Sequence, residues 1–230
     1  MIVVVGSRFD AAARALVERW PGGDAQLLSA EDLTTAGWQW SANARDEAIA
    51  VVSGRRVRVA SIRGVLTRRP AVLPQELTAI AEVDRGYVAA ETTAFLTAWL
   101  SNLSCPVLNR PQGGCLSGPN WTIDKWLCTA VRLDLPVRPC RRTVPAAASA
   151  PEQAGSLDRL DRVVVVGSEV FGGVGSARGD DARRLACAAG VDLLEAQFSG
   201  SELIAATCWP DLAVPRTFEA VARYFAGGAA

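Results

Sequence analysis

The sequence predicts an α/β protein, with an open, mostly parallel N-terminal sheet flanked by helices on both faces and a small α+β C-terminal module. Three observations lead there. The chain opens as apolar run, amphipathic stretch, apolar run, the pattern of two parallel strands joined by a right-handed crossover helix. Further short apolar runs at 62–67 and 105–108 supply more strands for the same sheet. At 143–159 the composition turns to Ala, Pro, Ser and Gly without periodicity, and periodic segments resume after it. That break predicts a flexible linker between a domain over 1–142 and a module over 160–230.

Each element has its own signal. "IVVVG" (2–6) is a continuous apolar run ending in glycine, as expected of a strand buried on both faces. Residues 8–20 place Phe9, Ala13, Leu16, Val17 and Trp20 at helical spacing before a Pro-Gly-Gly turn. "AQLLS" (25–29) reads as a strand, and 48–60 as two strands around a Ser-Gly turn. The strand at 62–70 ends at a proline, 73–103 is helical with a break at Gly86, and 105–109 is a strand. A helix over 119–134 starts near Pro119, where the missing N–H does no harm. In the second module, 161–176 reads as a hairpin about Gly167-Ser168, and Asp180-Asp181 as the cap of a helix over 180–190. A hairpin over 191–209 and a helix over 215–226 complete it. The second module is expected to pack its strands against both of its helices. It is too small to build a large core alone, so it is expected to dock on the first module.

Composition narrows the chemistry. The chain has 230 residues, no net charge and no basic run, so no nucleic-acid footprint is expected. No apolar stretch approaches the ~20 residues of a membrane span, and no targeting segment opens the chain; a cytoplasmic protein is expected. Six cysteines are widely spaced, with no C-x-x-C pair, which fits neither a zinc site nor a disulfide framework. Histidine is absent, which removes Ser-His-Asp and Cys-His catalysis. "VVVVGSEVFGGVG" lacks the lysine of a phosphate loop. The carboxylates of the last hairpin, Asp192, Glu195, Glu202 and Asp211, do not converge on one ion, since 192 and 195 point to opposite faces of a strand.

One residue stands out: Lys125 is the single lysine among 24 basic residues. Its surroundings, with those of three other segments, carry a resemblance. "GVLTRRP" (64–70), "YVAAETTAFLTAWLSNLSCPVLNRP" (87–111, with Glu91 internal and an Asn-x-Pro at Asn109 and Pro111) and "DKWLCTAVRLDLPVRP" (124–139) occur in the order found in ATP-grasp ligases. They resemble most the group that modifies ribosomal peptides. "RVVVVGSEVFGG" and "GVDLLEAQFSGSELIAATCWPDL" resemble two later hairpins of that fold.

The resemblance implies a fold, a role for Lys125 near the nucleotide segment, and two departures. Such ligases insert a nucleotide-clamping lobe where this chain has only the linker. They also carry Glu-x-Asn for magnesium where this chain reads Ala206, Thr207 and Cys208, of which Ala and Cys cannot ligate a hard cation. The expectation is therefore a degenerate, truncated ATP-grasp-like protein that binds a peptide or enzyme partner in a biosynthetic or peptide-modification pathway. A homodimer is a further expected association. No metal site and no cofactor are expected. The alternative is an ATP-grasp-type ligase forming an amide or ester bond with ATP and magnesium, its site rebuilt or completed by a partner. Candidate ligand-binding residues are Arg68, Arg69, Glu91, Asn109, Asp124 and Lys125. For Arg69 and Glu91 a buried ion pair is the competing reading.

Overall fold

A computed structural model describes residues 1–41, 47–139, 160–173 and 176–227. The linker expected over 143–159 lies outside the described residues. Contacts divide the chain into two units, Met1–Asn120 with Asp211–Ala230, and Trp121–Pro210. Two elements thus fall on the other side of the sequence-based boundary: the helix over 123–132 belongs with the second unit, and the last helix with the first.

In the first unit, β1 (Ile2–Val5), β2 (Ala25–Leu28), β5 (Gly64–Thr67) and β6 (Val107–Leu108) form one sheet of order β2-β1-β5-β6, parallel throughout. The four apolar residues of β1 are buried because both sheet faces are covered. On one face Val3, Val5, Val65 and Val107 join Leu96, Trp99 and Leu100 of α3 (Arg85–Asn102) in a core cluster. On the other, α1 (Ala11–Arg19) brings Ala13 beside Gly6, and α6 (Pro215–Gly227) lays Phe225 on Gly64. An ideal Cβ on Gly64 would stand 2.2 Å from that ring, so glycine is what admits α6. Trp20 completes the contact, edge-on to Phe218 at 5.5 Å. The expected packing of the last helix on the second module is therefore corrected: its aromatic stripe is taken up by Trp20 and Gly64.

The expected hairpin over 48–60 is present as β3 (Ile49–Val52) and β4 (Arg55–Arg58), turning through Ser53 and Gly54 at φ of 50° and 71°, the two left-handed residues of a tight hairpin turn. The short α2 (Ala30–Thr34) had no clear periodic signal; a capping box between Ser29 and Asp32 starts it. The helix expected from residue 73 instead begins at Arg85, after two 3-10 turns at Pro74–Glu76 and Glu82–Asp84. Gly86 sits in its first turn rather than breaking it.

In the second unit, β7 (Asp161–Val166), β8 (Glu169–Gly172), β9 (Leu193–Ser199) and β10 (Glu202–Thr207) form an antiparallel sheet of order β10-β9-β7-β8. The glycine-rich stretch is indeed a hairpin. Helices α4 (Ile123–Arg132) and α5 (Ser176–Ala189) share one core cluster with Val163, Val165, Leu194, Ala196, Phe198 and Leu203. Because α5 starts at 176, Asp180 and Asp181 do not cap it. They pair along the helix with Arg183 (2.8 Å) and Arg184 (3.6 Å). Residues 136–138 extend the sheet past β10: the Leu203 amide donates to the Pro136 carbonyl (2.8 Å) and the Arg138 amide to the Leu203 carbonyl (3.0 Å).

Candidate functional site

The parallel sheet presents the ends of β1, β5 and β6 together, and three of the six expected residues lie there. The chain leaves β1 for β2 on one side of the sheet and leaves β5 for β6 on the other, the arrangement that opens a crevice at strand ends in α/β sheets. Arg69 does not offer itself to a ligand. Its side chain is 5% exposed and paired with Glu76 at 8%; it also donates to the carbonyls of Ala71 (2.9 Å) and Gly6 (3.3 Å). Its own carbonyl accepts from the Ser117 hydroxyl at 2.7 Å. Arg69 is a clip that ties two strand ends, a 3-10 turn and the 116–118 loop together. The expected ion-pair reading holds for Arg69, with Glu76 as its partner instead of Glu91.

Arg68 is the half-exposed member of the pair. Its Nε donates to Asp10 at 3.3 Å, and Asp10 also caps α1 by accepting from the amides of Ala12 (2.9 Å) and Ala13 (3.2 Å). Asn109 is buried against Gly118, whose added Cβ would meet it at 3.0 Å and whose φ is 94°. Sequence reasoning missed Arg110. Its guanidinium donates to the carbonyls of Leu100 (3.0 Å), Ser101 (3.3 Å), Leu103 (3.1 Å) and Cys105 (3.2 Å), closing the C-terminus of α3, where a cation complements the helix dipole. Cys105 lies beside it, its thiol pushed above the usual range by burial.

Glu91 stands apart from these groups. It is exposed on α3 at the rim of an open groove of about 580 Å³ lined also by Leu33–Trp38, Thr92 and Phe95. Trp38 forms the groove's apolar wall, edge-on to Phe95 at 5.1 Å, with its indole N–H given to the Asp32 carbonyl at 2.8 Å.

Asp124 and Lys125 belong to the second unit, in the first turn of α4. Thr122 caps that helix, accepting from the Lys125 amide at 3.4 Å. The Lys125 side chain is exposed and folds back over Trp121, its ammonium 5.2 Å from the ring centroid, a cation–π contact. Asp124 lines a second open groove of about 650 Å³ with Leu127, Cys128, Val131, Arg132, Val137, Arg138 and Pro139.

The two positions at which the resemblance places magnesium ligands, 206 and 208, carry an alanine and a cysteine. Ala206 and Cys208 are each 7% exposed and belong to the core cluster beneath α4 and α5. Thr207 uses its hydroxyl to accept from the Trp209 amide at 3.1 Å. On the opposite sheet face Glu195 is buried, near Arg162 (3.7 Å) and accepting from Gln197 (2.9 Å). Among the described residues no group of three His, Cys, Asp or Glu could hold a metal ion. Trp38, Trp40 and Trp121 pack against core clusters, while Trp209 is 46% exposed. No described helix is long and apolar enough to cross a membrane.

No family model matches the sequence, and no curated relative does. Solved structures do match. The ATP-grasp ligase PsnB, complexed with a phosphomimetic variant of its minimal precursor, Mg and ADP, superposes with a TM-score of 0.69 at 14% identity, over 100% of this chain and 98% of that one. The macrocyclase MdnC from Microcystis aeruginosa MRC, bound with precursor peptide MdnA, gives 0.66 at 10% identity over 99% and 100%. A Chryseobacterium gregarium RiPP-associated ATP-grasp ligase, in complex with ADP and a leader and core peptide, gives 0.66 at 9% over 100% and 97%. The chain has the fold of ATP-grasp ligases. These three structures hold a precursor, leader or core peptide, and identities of 14% and below establish the fold alone.

Proposed function

We propose that this protein is a degenerate ATP-grasp-like component that binds a peptide or enzyme partner in a peptide-modification or other biosynthetic pathway, and does not itself ligate. The observation that carries the reading is the burial of Ala206 and Cys208 in the apolar core shared with Trp126, Leu127 and Leu203. Phosphoryl transfer depends on a metal that neutralises developing charge, and an Ala and a Cys facing a packed core give a hard cation no oxygen. The sequence supports the same view, since the stretch at 143–159 is too short for a clamping lobe. Support for a peptide partner comes from PsnB, MdnC and the Chryseobacterium ligase, each solved with a precursor or leader peptide.

Thermal unfolding tests the reading. Ligand at a hundred times its Kd adds about 2.7 kcal/mol, a rise on the order of 5–10 °C for a chain of this size. Millimolar ATP with magnesium is expected to leave the midpoint unchanged. A concentration-dependent rise would favour the alternative, an ATP- and magnesium-dependent amide- or ester-forming ligase with Arg68, Asn109, Asp124 and Lys125 as its first residues to replace.

A further inference from the structure

The groove beside α4 is bounded on one side by a strand edge that no described residue pairs. In residues 136–138 the Pro136 carbonyl and the Arg138 amide are turned to Leu203 of β10. Peptide groups alternate along a strand, so the N–H and C=O of Val137 point away from the sheet. Neither has a hydrogen-bond partner among the described residues. The Val137 side chain packs against the core cluster, with Leu127 beside it. Above this floor α4 presents Asp124, Leu127, Cys128 and Val131, four residues at i, i+3, i+4 and i+7 along one flank. Val131 is 55% exposed. Arg132, in the last turn, has no ion-pair partner among the described residues. Among the described residues the groove therefore combines an unpaired backbone donor and acceptor, an apolar trough and an unpaired cation.

We propose that this groove docks an extended peptide segment by adding a strand to the 136–138 edge. The segment exchanges both main-chain hydrogen bonds with Val137, sets an apolar side chain between Leu127 and Val131, and places a carboxylate on Arg132. Main-chain pairing gives such docking its register, and pockets for alternate side chains give it specificity. The outward side offers little beyond Val137, because the Leu135 amide is already given to the Ala130 carbonyl (3.0 Å) and Pro139 has no N–H. A proline on an edge also discourages edge-to-edge pairing with another sheet. The occupant is thus a short acidic-apolar segment instead of a long strand. This inference rests on the peptide-partner reading above and gives it a location.

Panning a phage-displayed library of random seven-residue peptides on the full chain, then titrating resynthesised hits by fluorescence anisotropy, tests it. Enriched sequences should alternate apolar and polar residues and carry Asp or Glu. Val137→Pro, which removes the outward N–H and keeps an apolar side chain, and Arg132→Glu should each weaken binding at least tenfold. A hit with its acid changed to lysine should regain affinity for R132E. Bound peptide should slow maleimide labelling of exposed Cys128 and leave Cys187 on α5 unaffected. If Val137→Pro does not fold, Arg132→Glu and Val131→Asp, both exposed, decide the matter. No enrichment, unchanged affinity in these variants, or a Cys128 already shielded in the free protein by the chain's own following segment would overturn the proposal. Hits that bind with unchanged affinity remove this site but leave the accessory role standing. Magnesium-ATP binding would remove that role but leave the groove result standing.

Discussion

Arg69 and Lys125 look equally eligible as ligand residues in the sequence, and the structure separates them by burial. Arg69 is spent on Glu76, Ala71 and Gly6. Replacing it with Met leaves the Glu76 carboxylate buried without its cation, which costs about 3–5 kcal/mol for an interior pair; urea unfolding should show a loss of that size. Lys125 is exposed, its ammonium resting over Trp121. Lys125→Met should change stability by less than about 1 kcal/mol, the worth of an exposed cation–π contact. The arginine pair at 68–69 was legible as a pair, but its division of labour was not. A sequence cannot tell which of two adjacent guanidiniums turns inward until the 3-10 turn carrying Glu76 is in place. For the thiols, burial pushes Cys105 up, and the thiolate is the reacting form. At pH 8 maleimide should therefore label Cys128 and Cys187, both exposed, well ahead of Cys105 and of the buried Cys115 and Cys208.

Elements built on a strong local pattern were legible: the apolar run of β1, the Ser-Gly hairpin turn of β3–β4, and the β9–β10 hairpin. Elements whose limits depend on tertiary contacts were not. The span from 73 to 84 reads as helical, yet Pro74 and the buried Glu76 commit it to a 3-10 turn pinned by Arg69. The partner of α6 was also hidden, because the signal is a single glycine on β5 that only makes sense once Phe225 lies on it. Gly64→Ala should force that ring aside and destabilise by about 1–3 kcal/mol, as overpacking does. Phe225→Leu in the same chain should recover part of the loss; full tolerance of Gly64→Ala would mean that α6 is not seated there. At the other end of α3, Arg110→Ala removes donors from four carbonyls and should lower stability by about 1–2 kcal/mol.

At the scale of the molecule, the order of motifs carried the fold despite identities of 14% and below to the solved ligases. The expected site was legible only as a set of positions. Arg68, Arg69 and Asn109 gather at the ends of the parallel strands, Glu91 lies at a separate groove, and Asp124 and Lys125 start a helix of the other unit. Ala206 and Cys208, by contrast, were legible as apolar positions of a strand end, and both are buried. The central claim is that this fold has kept its shape and lost its nucleotide chemistry. Isothermal titration of the full chain with magnesium-ATP tests that most directly: the account predicts no saturable heat up to millimolar nucleotide, and a saturable isotherm abolished by Lys125→Met would contradict it.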